Sequence, residues 1–200
     1  MTSRTTTLPA AAPRLPRSGH AALAAGALVQ ASLGAEFVLA GLSKVVDPDF
    51  IPQFTAFVQG SPAATSGPLA GLLTGLVLPH SALVARLSEV IELAAGLILL
   101  LSALEVARRR LAGPLGAQHA YEPLAALLSA LAAFALGGMS LGIFLIEGGR
   151  LPSVSPINAF GSPIAVELLL VPLTLAIGWL ELGRFVALRS TARSTMPAAS

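Results

Sequence analysis

The sequence predicts an all-α fold, a polytopic membrane bundle of four transmembrane helices with a short interfacial helix in the first outer loop. Three observations predict it. Of 200 residues 54% are apolar and only 11% charged, whereas a soluble domain charges about a quarter of its positions. Mean hydropathy is +0.80, and the apolar residues gather into blocks of about twenty or more, the length a helix needs to cross a bilayer. The arginines, finally, fall mainly on one side of such a four-span chain.

Residues 1–20 contain no acid, are rich in Pro, Ser and Thr, and read as a disordered cytoplasmic tail. The domain proper covers 21–188. Its first span runs over about 21–46, too long for a secretory leader and interrupted by Glu36. The outer segment 47–82 follows. Within it DPDFIPQFTAFVQG predicts a short helix capped by Asp49, with Pro52 in its first turn. Phe50, Ile51, Phe54, Phe57 and Val58 then share one face, which suits the outer leaflet surface. The apolar stretch from Pro68 to Pro79 is too short to cross and is expected to lie in the interface.

Later spans are expected over about 83–104, 123–146 and 163–182, with 189–200 as a second cytoplasmic tail. This count puts Arg4, Arg14, Arg17, Arg108 to Arg110, Arg184, Arg189 and Arg193 on one side, and Lys44, Arg86 and Arg150 at the other. Both termini are therefore expected in the cytoplasm of a bacterial-type plasma membrane. Threading residues 68–79 through the bilayer would place Arg108 to Arg110 outside, against the bias. Tyr121 and Trp179 suit an aromatic belt. Gly138 and Gly142 favour close helix packing, and Pro172 should kink the fourth span or free a carbonyl.

Ionisable groups inside the spans carry the functional reading. Each costs on the order of 2.5 to 3.5 kcal/mol at the bilayer centre and less towards the ends. Glu36 lies eight residues before Lys44 in span one. Arg86, Glu89 and Glu92 open span two, and Glu167 opens span four. All belong to the outer half, and Glu36, Ala40 and Lys44 are expected on one helix face. Four carboxylates against Lys44 and Arg86 leave a surplus of acid. Either some carboxyl groups hold a proton, or a bound partner supplies donors. Such groups beside an apolar pocket suit quinone chemistry, which moves two electrons and two protons. The opposing reading is that Lys44 and Arg86 satisfy the acids and only fix packing.

Other chemistries find no residues to carry them. Zero cysteines exclude iron–sulfur clusters, thiolate metal sites and disulfide relays. His20, His80 and His119 are too dispersed for axial haem ligation, so neither haem nor another metal is expected. Nucleotide-binding and hydrolase motifs are missing. The pI near 9.9 reflects a net charge of only +2 and does not predict nucleic-acid binding.

The run LGAEFVLAGLSKVVDPDF (Leu33 to Phe50) and, some way on, SEVIELAAGLILLLSA (Ser88 to Ala103) resemble the DoxX family of small four-helix membrane proteins. That family includes the small subunit of thiosulfate:quinone oxidoreductase and is related to MauE-type proteins. The resemblance rests on Phe37, Gly41 and Lys44, the Asp47-Pro48 turn, and Glu92 with Gly96. It covers spans one and two by motif and the others by topology. The missing cysteines depart from MauE-like members, and the outer segment from Val45 to Ala82 is long for a compact DoxX protein.

The resemblance implies a membrane subunit of a quinone-linked oxidoreductase, taking electrons from an oxidisable sulfur compound or a second protein subunit. Glu36, Glu89, Glu92, Arg86 and Lys44 form the expected catalytic set. Phe54, Phe57, Glu167, Gly41 and Gly96 are the expected quinone-binding set. Two other readings stand beside it: a non-catalytic membrane anchor for a soluble redox or stress-response protein, and a proton-coupled exporter of a small solute.

Overall fold

The computed structural model describes residues 17–111, 122–149, 152 and 164–194. The expectations for the tails over 1–16 and 195–200, for the side chains of Arg17, His20, Arg109, Arg110 and Arg193, and for His119, Tyr121, Arg150 and Pro163 fall outside the described residues and side chains. Among the described residues the chain is all-helical. In order come α1 (Arg17–Val46), α2 (Phe50–Gln59), α3 (Pro62–Thr65), α4 (Ala70–Leu72), a π-helical turn (Leu73–Val77), α5 (Ser81–Leu111), α6 (Glu122–Ile146) and α7 (Val166–Ser194). Four of these, α1, α5, α6 and α7, are long and apolar enough to cross a membrane. They match the four expected spans. Three outrun the expected bounds, because the helices continue through polar ends that hydropathy alone cuts off.

The bundle consists of two tight antiparallel pairs, α1 with α5 and α6 with α7, joined mainly along α5 and α6. Glycine sets the first pairing. A Cβ on Gly96 would sit 2.9 Å from Val38 N, and one on Gly34 would sit 2.8 Å from Gly96 O, so any larger residue would drive the backbones apart. In the second pair Gly137 meets Thr174, and Gly178 meets the Phe134 ring. Gly138 and Gly142 do not play the expected role: a Cβ on either meets nothing within 4 Å. Gly137, one residue away, occupies the face turned to α7. The α7 helix runs on through Pro172.

Each long helix buries apolar residues between two polar ones. Leu33 and Phe37 lie between Gln30 and Lys44, Ala95 and Leu99 between Glu92 and Ser102. Ala132, Ala133 and Leu136 lie between Ser129 and Ser140, and Ile177 between Thr174 and Glu181. The result is an apolar layer with a polar layer at either side. Gln30 Nε2 donates to Ser129 Oγ at 2.5 Å across the bundle, which satisfies a side chain left only 1% exposed.

The segment α2 to the π-helical turn caps one end, here named the α2 end. Val58, Ala63 and Leu73 form its small core, against which Ile146 of α6 packs. The α2 helix forms where it was expected, with Asp49 at its N-cap position, but the cap differs. The Asp49 side chain makes no capping bond. Instead Asp47 Oδ1 accepts from Asp49 N–H at 2.9 Å, an Asx-type turn that leads into the helix.

Candidate functional site

A cavity of about 550 Å³ opens between α1, α2, α5 and α6 at the α2 end, within the range typical of small-molecule pockets. Its walls follow from helical spacing. Val84, Ser88 and Glu92 recur every four residues on α5 and so line one face. Met139, Ile143 and Ile146 line α6, with Glu147 at its end. Phe50, Phe54 and Phe57 come from α2, also at helical spacing, with Gln53 among them. From Val84 to Glu92 is eight residues, a depth of about 12 Å, so Glu92 lies at the floor.

Lys44 meets Glu92 there. Lys44 Nζ donates to both carboxylate oxygens and also sits 5.9 Å from the Phe50 ring centroid, a favourable cation–π distance. Glu92 is only 2% exposed. The pair arises because Gly41 lets α1 settle against Leu93, bringing the last turn of α1 beside the start of α5. Ser88, which also lines the cavity, donates its hydroxyl to Ala85 O at 2.7 Å, so its oxygen keeps only acceptor capacity.

The expected residues divide into those that line the cavity and those that do not. Lys44, Glu92, Phe54 and Phe57 line it. Glu89 is 3% exposed but paired with its own neighbour, Arg86 Nη1 lying 2.8 Å from Glu89 Oε2, and neither lines the cavity. Gly41 and Gly96 are taken up in the α1–α5 contact. Glu167 sits half-buried on α7, which contributes nothing to the cavity.

Glu36 is exposed, with no hydrogen bond or ion pair among the described residues. The expectation that Glu36 shares a face with Lys44 fails for a geometric reason. Eight residues make about 2.2 turns of 3.6 residues, which rotates Glu36 about 80° away from Lys44. The expected surplus of acid in one layer is therefore not assembled: Glu89 and Glu92 each have a basic neighbour, and Glu36 and Glu167 stand apart from the cavity.

Glu147, Gln53, Ser88 and Met139 line the cavity and were not expected there. The i, i+4 series Ser88-Glu92 was a readable signal. Glu147 was not, because its place depends on where α6 ends against the cap. The second polar layer was also missed. Gln30 and Ser129 are ordinary in a small-residue helix until packing brings them together, and Glu181 is buried with Arg184 Nη1 at 3.2 Å. Among the described residues no cluster could hold a metal ion.

The fold and site define a helical protein built as a multi-pass membrane protein, with a partly polar cavity at one end of its bundle. Comparison with protein-family models, with curated proteins and with solved structures finds no match.

Proposed function

We propose that this chain is the membrane subunit of a quinone-linked oxidoreductase of DoxX/DoxD type, and that the cavity at the α2 end receives the quinone headgroup. The carrying observation is the cavity's composition: three phenylalanine rings and aliphatic walls around one buried Lys44–Glu92 pair. A flat, apolar ring with carbonyl oxygens suits such walls. Lys44 has three N–H donors, and Glu92 engages two acceptor positions, so one N–H remains for a ligand oxygen. Glu92 is then placed to exchange a proton with a hydroxyl of the reduced headgroup. Quinone reduction takes up two electrons and two protons; the electrons come from an oxidisable sulfur compound or a partner subunit, which is oxidised.

On this reading α2 lies at the surface of the outer leaflet, and both termini face the cytoplasm of a bacterial plasma membrane. The test is direct binding. Protein purified gently from native membranes should carry extractable quinone, and stripped protein should bind decylubiquinone. Glu92→Gln and Phe54→Ala should each weaken that binding about tenfold. A quinone-free protein that ignores added decylubiquinone would sink the proposal.

A second reading, a non-catalytic anchor for a soluble redox or stress-response protein, is favoured by the pairing of Glu89 and Glu92 with their own basic neighbours. It expects Glu92→Gln to lower the amount of assembled complex and to leave turnover per complex unchanged. The exporter reading is disfavoured by the apolar layer beneath the cavity.

A further inference from the structure

Glu36 stands one position from the middle of the membrane-crossing stretch Ala24–Val46, and it faces away from the bundle. The inner sides of α1 are used by Leu33 and Phe37 in the core and by Gly34 and Gly41 against α5. Helical spacing then turns Ser32, Glu36, Leu39 and Ser43 to the opposite side, where all four are exposed. Leu28 and Leu39 on this face are 70% and 64% exposed. Charged or neutral, a carboxyl group at that depth needs hydrogen-bond partners that lipid tails cannot give.

Among the described residues none provides them. The hydroxyls beside Glu36 donate elsewhere, Ser32 to Leu28 O at 3.0 Å and Ser43 to Ala40 O at 2.7 Å. Lys44 and Arg86 are engaged by Glu92 and Glu89. Arg184, in the second half of α7, is engaged by Glu181, and the other Lys and Arg positions of the long helices lie towards helix ends. A second copy in the same orientation would therefore set carboxyl against carboxyl.

We propose that this face of α1 docks a transmembrane helix of another protein that carries a basic side chain at mid-span, and that Glu36 is its anchor. Charge complementarity selects the occupant, and Ser32 and Ser43, being small, let the two backbones approach. The inference is independent of the ligand in the cavity, which α1 lines only through Lys44 and which Glu36 does not line.

The test uses the full chain in phosphatidylcholine vesicles. The sequence has no cysteine, so Ser190→Cys provides a single site for a donor dye at an exposed position. The probe is a synthetic, acceptor-labelled polyleucine helix with one central arginine. Energy transfer should saturate with this peptide and require at least tenfold more of it in Glu36→Gln and in Glu36→Leu. An all-leucine peptide should bind no better to the parent than to either variant. Because Glu36 is exposed and has no hydrogen bond or ion pair among the described residues, both variants should fold, checked by circular dichroism. Equal binding of the arginine peptide by parent and variants would overturn the proposal. So would Glu36-dependent energy transfer between two copies without peptide, which would make a second copy the occupant.

Discussion

Replacing Lys44 by methionine strands a carboxyl group at the floor of the cavity. Glu92 is 2% exposed, and its two oxygens take both hydrogen bonds from Lys44. Removing one partner of a buried pair costs about 3 to 5 kcal/mol. The Lys44 side chain keeps 25% of its surface exposed, so water reaches the pair and the lower end, about 3 kcal/mol, is expected. In Lys44→Met/Glu92→Met both charges leave together, and the pocket floor becomes apolar. The double variant should then recover to within about 1 kcal/mol of the parent. The assay is reversible unfolding in mixed micelles with added dodecyl sulfate, followed by circular dichroism, on the parent, the two single variants and the double variant. Additive losses, with a coupling below about 0.5 kcal/mol, would refute the claim that this pair is a closed electrostatic unit.

The remaining predictions concern packing and the second polar layer. Gly96→Leu should prevent α1 and α5 from closing and lower the yield of folded protein sharply, whereas Gly138→Leu should be tolerated; recovery of monodisperse protein after heating separates them. Ser129→Ala leaves the Gln30 amide without its acceptor and should destabilise by about 1 kcal/mol, while Gln30→Leu/Ser129→Ala should recover part of that loss in the same unfolding assay. Glu36→Gln should leave decylubiquinone affinity unchanged within about twofold, in contrast to Glu92→Gln, because Glu36 does not line the cavity.

Much of the fold was legible in the residues because the bilayer demands long uninterrupted apolar helices. That demand writes itself directly into composition and block length. The α2 helix was readable for a similar reason, since its phenylalanines repeat at helical spacing. Local pairs were legible too: Arg86 and Glu89, three apart on one helix, must be neighbours whatever else packs nearby. Phe54 and Phe57 line the cavity, whereas Gly41 and Gly96 carry the contact between helices.

What the chain alone determined is therefore what depends on one helix at a time: how many are long and apolar enough to cross, and how far apart along each helix its polar groups stand. Which way each group turns was decided only by tertiary structure. The rotation of α1 about its axis, set by Gly34 and Gly41 against α5, sends Lys44 to Glu92 and leaves Glu36 outside. A helix fixes the angle between its own side chains, but only a neighbouring helix fixes where that whole set of angles points.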